Sequence, residues 1–164
     1  MSYIKISIGI FLVLAASRFI PHPPNFTSLL ALGFYIPLIF GRKFIFAILV
    51  SFLITDLIIG FHNIIFFTWG SIVIIGLIAN LFAKSFILRI TGALIGAIIF
   101  FVVTNFGVWS LGGYGYSLEG LLKAYTLAIP FFTYSILSTT IYSFIIEILY
   151  LINKKYFSRR KLIN

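Results

Sequence analysis

No cysteine occurs in the 164-residue chain. Disulfides, thiolate nucleophiles and cysteine-ligated metals are therefore excluded. Charge is also scarce, at 9% of residues, where soluble domains carry about 25%. Only three residues are acidic, Asp56, Glu119 and Glu147. No phosphate loop, nucleophile–base constellation or paired catalytic carboxylates can be found. The chain reads as a non-enzyme that needs no cofactor. Its net charge of +9 does not point to nucleic acid, because the basic residues sit at the ends of apolar runs rather than on one face.

Most of the chain is apolar. Hydrophobic residues make up 62%, and the mean hydropathy is +1.18. A soluble domain of this size could not cover so much apolar surface. The expected fold is an all-α membrane protein forming a single domain. Spans are placed at about 4–20, 26–40, 44–59, 64–82, 86–105 and 130–152, with a basic cytoplasmic tail over 153–164. The second and third are short for a hydrocarbon core of about 30 Å. Met1–Ser17 has the outline of a signal peptide, but Leu14 is poor at the cleavage signature and more spans follow. It is read as an uncleaved first helix.

Charge fixes the expected orientation. With six spans, Lys5, Arg42, Lys43, Lys84, Arg89 and the tail residues Lys154, Lys155, Arg159, Arg160 and Lys161 share one side. Only Arg18 and Lys123 fall on the other. The positive-inside rule then puts both termini in the cytoplasm.

The stretch Arg18-Phe-Ile-Pro-His-Pro-Pro-Asn-Phe-Thr27 stands out against this background. Pro21, Pro23 and Pro24 force a stiff, non-helical link, and Asn25 and Thr27 are candidate caps for the next helix. With this orientation the link faces outside. So do His62 after the third span, the Thr104-Asn105-Phe-Gly-Val-Trp109 end of the fifth, and the Gly- and Tyr-rich loop 110–117. Polar chemistry thus collects at the outer face. Asp56 has two readings, a ligand or ion contact and a structural pair with Arg18; a carboxylate inside a span needs one of them. His22, His62 and Asp56 form a weak metal set, since their spacing has no helical register. Trp69, Trp109, Tyr114 and Tyr116 fit an aromatic belt. Glu147 is expected near the cytoplasmic end, within reach of the basic tail.

Ser117 can cap a helix with Glu119 in its first turn and Lys123 four residues on. A short interfacial helix over Leu118–Ala128 is expected before the last span, acting as a partial lid; one long kinked helix is the alternative. Gly92/Gly96 and Ala93/Ala97 form a small-xxx-small packing face on the fifth span.

Four motifs together carry a resemblance. They are Arg18-x-x-Pro-His-Pro-Pro-Asn-Phe-Thr27, Asp56-Leu-x-x-Gly-Phe-His62, Thr104-Asn-Phe-Gly-Val-Trp109 and Ala128-Ile-Pro-Phe-Phe132. They resemble an uncharacterised bacterial membrane family assigned to transport. That family in turn is similar to the substrate-binding (S) components of energy-coupling factor transporters. The resemblance implies a six-helix protein that captures a vitamin-like micronutrient from outside and then joins a coupling membrane protein and ATPases. Two departures stand out. Ile136–Thr140 replaces an acidic Gly-Asp-Leu pattern, and Phe11 and Leu12 precede Ala15 and Ala16 where S components often carry an Ala-x-x-x-Ala docking face.

The resulting expectation is capture of a small-molecule ligand, with Arg18, His22, Asn25, Asp56, His62, Asn105 and Trp109 lining or framing the site. No metal is expected. The alternative is a structural or assembly subunit of a larger membrane complex.

Overall fold

A computed structural model describes residues 3–160, with side chains described over 3–152. The tail charges Lys154, Lys155, Arg159, Arg160 and Lys161 lie outside the described side chains. Among the described residues there are six α-helices, one 3₁₀ turn and no strand. The helices are α1 (Tyr3–Phe19), α2 (Leu29–Phe40), α3 (Phe44–Ile59), α4 (Ile65–Ile78), α5 (Phe86–Ser110) and α6 (Leu118–Arg160), and the 3₁₀ turn Ala79–Phe82 follows α4. Three segments are long and apolar enough to cross a membrane: Ile65–Phe82, Phe86–Ser110 and Leu118–Ile152. Large apolar side chains cover the outside of the bundle, among them Ile4, Phe46, Phe66, Leu81 and Ile87. A surface of this kind is stable against lipid and not against water. The chain is a helical membrane protein.

The shortest helix is the central one. α2 has 12 residues and a length of about 18 Å. It packs against all five other helices, and no other helix does so. Its sequence, Leu-Leu-Ala-Leu-Gly-Phe-Tyr-Ile-Pro-Leu-Ile-Phe, is apolar on every side, as a fully enclosed helix requires. Leu29 to Tyr35 and Pro37 are all buried. Phe34, Tyr35, Ile48, Ile72 and Ile75 fill the space around it with almost no exposure.

α2 begins later than the expected span. Ser28 is its cap position and makes no side-chain cap bond of its own, while the Leu29 N–H donates to Thr27 Oγ1 at 3.4 Å. Asn25 takes a left-handed φ of 63°. The Phe26 N–H donates to Pro23 at 3.0 Å and the Thr27 N–H to Asn25 at 3.0 Å, so the proline-rich link closes as a tight turn. Both the N–H and the hydroxyl of Ser28 meet Ser17 Oγ, at 3.1 and 2.8 Å. The Ser17 hydroxyl donates to Leu14 at 2.9 Å. A serine in α1 thereby satisfies the start of α2, where proline chemistry leaves no preceding helix turn.

The second difference lies in the last helix. The interfacial helix and the last span are one element, α6, which runs through Pro130. Proline lacks the N–H that would bond Thr126, but membrane helices tolerate this where neighbouring groups compensate. The start of α6 is as expected: the Gly120 N–H donates to Ser117 Oγ at 3.1 Å. Lys123 does not reach Glu119; its ammonium stands over the Tyr114 ring, 5.7 Å from the centroid. α5 also continues past Asn105 to Ser110.

The small-residue face of α5 is fully used. Ala93 and Ala97 have no exposure. A Cβ on Gly92 would fall 2.7 Å from Phe34 and a similar distance from Phe82, and one on Gly96 would meet Ile75 at 3.1 Å. Gly92→Val should therefore destabilise the bundle by about 1–3 kcal/mol through overpacking. Thermal unfolding in detergent measures this, and an unchanged midpoint would show that α2 and α5 pack less closely than described.

Candidate functional site

A cavity of about 400 Å³ opens where α2 begins. Its polar lining comes from five places in the sequence, one of them Ser135 of α6. Arg18 closes α1, His22, Asn25 and Thr27 belong to the proline link, His62 and Thr68 flank the α3–α4 turn, and Thr104 and Asn105 come from α5. The opposite wall is apolar, with Phe100 and Phe101 from α5 and Ala128, Phe131 and Phe132 from α6. Phe101 and Phe132 pack with ring centroids 4.5 Å apart. No acidic residue lines the cavity.

Arg18 is fixed by three groups of α3. One guanidinium nitrogen donates to Asp56 Oδ1 at 2.6 Å. The other donates to the Thr55 hydroxyl and to the Phe52 carbonyl, the latter at 3.4 Å. The Phe52 ring lies under the guanidinium carbon at 4.4 Å, a cation–π arrangement. Arg18 still has donors to offer, because a guanidinium carries five N–H groups and only three are used here.

Two of the seven expected site residues do not line the cavity. Asp56 is fully buried and turned towards Arg18, so it acts on the cavity only through that side chain. Trp109 lies outside the lining, and its indole N–H donates to the Ser117 carbonyl at 3.0 Å, fixing the loop before α6. The other five, Arg18, His22, Asn25, His62 and Asn105, all face the cavity.

The histidine hydrogen bonds define their free nitrogens. His22 Nδ1 lies 2.7 Å from the Pro23 carbonyl. A carbonyl only accepts, so Nδ1 carries the proton. The Thr68 hydroxyl donates to Ile64 at 3.2 Å, so it accepts from His62 Nε2 at 3.0 Å. Each neutral imidazole is thereby left with one acceptor nitrogen. The Asn105 amide donates to Phe101 at 2.8 Å, which leaves its carbonyl oxygen available. Among the described residues no three of His, Asp and Glu come close enough to share a metal ion. Trp69 is partly buried and packs against the core.

A second buried ion pair lies in the other half of the bundle. Glu147 takes both Nε and Nη2 of Arg89, at 2.6 and 2.7 Å. Its partner among the described residues is thus Arg89 of α5, and the basic tail lies outside the described side chains. The cavity also contains residues outside the expected set, namely Thr68, Phe100, Phe101, Phe131, Phe132 and Ser135. The last of these could have been found from a periodic pattern, since Ser135, Thr139, Ser143 and Glu147 recur every fourth residue.

One family model, described as a family of unknown function (DUF6580), matches residues 2–160. The chain belongs to DUF6580. No curated protein matches it, and no solved structure does.

In this DUF6580 chain, removing one partner of a buried ion pair strands the other charge, at a cost of about 3–5 kcal/mol. Asp56→Asn should therefore lower stability, and the double variant Arg18→Gln/Asp56→Asn should recover part of the loss. A thermal double-mutant cycle measures the coupling. Additive losses would mean that the pair contributes nothing.

Proposed function

We propose that the protein is a substrate-binding component for uptake of a small, vitamin-like nutrient captured from the outer face of a bacterial inner membrane. The observation that carries this reading is the cavity itself. It places fixed polar groups opposite an aromatic wall, the usual arrangement of a small-molecule site. Its volume of about 400 Å³ falls within the usual range for such sites. Capture is by binding, with no chemistry on the ligand. Arg18, His22 and His62 orient polar groups, Asn25 and Asn105 add hydrogen bonds, and the phenylalanine wall takes the apolar or ring portion. Asp56 positions Arg18, and Trp109 holds the loop beside the site.

Six spans with both termini in the cytoplasm fit this reading. Arg18 and Arg89 are neutralised in ion pairs, so neither counts as a free topology charge. Arg42, Lys43 and Lys84 still outnumber Lys123, and the positive-inside bias survives. A coupling membrane protein and ATPases would supply energy, in line with the resemblance to S components.

Gentle affinity purification from the native host, with mass spectrometry of small molecules and proteins, tests the reading. A retained small molecule is the expected result. Asn105→Leu should reduce its retention about tenfold, the effect of one lost hydrogen bond plus an unpaired ligand group, without changing yield. Recovery in fixed proportion with a large assembly, and with no small molecule, would contradict the reading.

A further inference from the structure

We propose that a buried polar seam on α6 is a proton path from the cavity to the Arg89–Glu147 pair. Ser135, Thr139, Ser143 and Glu147 repeat every fourth residue and share one face of the helix. Each is at most 2% exposed, and Ser138 beside them is fully buried. Ser135 borders the cavity. From there to Glu147 the helix rises about 18 Å, so the seam crosses much of the bundle. Other faces of α6 carry exposed Leu137, Ile141, Ile145 and Ile148.

Two hydroxyls in the middle of the seam are oriented differently from the rest of the helix. Thr126, Thr133 and Thr140 donate to their own helix, to Leu122, Ile129 and Ile136 at 2.7, 3.1 and 2.7 Å. This is the ordinary way to bury or shield a hydroxyl in a helix. Thr139 Oγ1 makes no such bond and has no hydrogen-bond partner among the described residues, while Ser143 Oγ makes none to its own helix and faces the Tyr35 hydroxyl, which in turn faces Glu147, without a bond of good geometry. Tyr35 is 1% exposed and stands beside Ser143 and Glu147. Each such group costs about 1–3 kcal/mol if left unsatisfied, and Ala, Val or Phe would fill the same space without that cost.

Hydroxyls one helical turn apart suit single bridging waters, which need two to four polar partners. A hydroxyl or water accepts one proton as it donates another, which leaves each O–H pointing the other way, and each group rotates back before the next proton passes. Glu147 is the ionisable end of the relay. Arg89 from α5, Tyr35 from α2 and Ser143 from α6 face it, and the Arg89 guanidinium lies over the Tyr150 ring at 5.4 Å. A proton arriving on the carboxylate neutralises it and weakens its ionic hold on Arg89. Arg89 is 12% exposed, so its side of the pair is the one that reaches water, and the Glu147 carboxyl returns its proton to water there. A metal cation suits the seam poorly, because both oxygens of Glu147 already face a guanidinium. The path stands apart from the nutrient reading, since proton flux needs no nutrient.

The full chain in liposomes containing a pH dye, under a potassium diffusion potential set with valinomycin, tests the path. Flux several-fold above protein-free vesicles is expected. Thr139→Val and Ser143→Ala leave the ion pair intact and should each bring flux close to background. Thr133→Val, outside the seam, should not. Wild-type flux equal to that of protein-free vesicles would overturn the proposal, as would full flux in the Thr139→Val/Ser143→Ala double variant.

Discussion

A helix of about 18 Å is shorter than a hydrocarbon core of about 30 Å, and the structure is arranged around that shortfall. α2 is apolar on every side and ends within the bundle, so the other helices must enclose it. Its neighbours extend past it. The space beyond its first turn is the cavity, bordered by Leu29, Leu30 and the proline link. Towards its far end Tyr35 stands beside Glu147. Shortness at the centre thus creates polar space in an otherwise apolar protein.

Electrostatics then decides which charges can enter that space. In a low-dielectric interior an ion needs a partner. Arg18–Asp56 ties α1 to α3, and Arg89–Glu147 ties α5 to α6. Each arginine keeps slight exposure while its carboxylate is buried, at 13% against 0% and 12% against 1%. The arginines are the members that face outward from the pairs, and Arg18 does so into the cavity. Because Thr55, Asp56 and the Phe52 ring hold it, Arg18 is pre-organised to meet a ligand with its remaining donors.

Much of this was legible in the residues. Composition alone required membrane helices, and proline chemistry required a stiff link after Arg18. Five of the seven expected site residues line one cavity, because helix ends with polar residues cluster where α2 stops. Asp56 and Trp109 are different. Each sits at the right depth, but the face a side chain presents depends on packing, and packing is not visible in uniformly apolar runs. Asp56 follows the second of its two readings, the pair with Arg18, and the Ser117 carbonyl takes the Trp109 indole N–H. Pro130 marked a break by local rules, whereas the enclosed environment of α6 carries the helix through it. The fourfold spacing of Ser135, Thr139, Ser143 and Glu147 was readable in principle, yet it lay in a span whose other residues hid it.

The central claim is that the cavity at the start of α2 opens to the outside of the cell. A chain without cysteine is suited to testing it by single-cysteine labelling. Asn25 and Lys84 are both exposed and lie towards opposite ends of the bundle. In intact cells, a membrane-impermeant maleimide should label Asn25→Cys and spare Lys84→Cys until the membrane is permeabilised. Labelling of Lys84→Cys alone in intact cells would place the cavity on the cytoplasmic side and contradict outer-face capture.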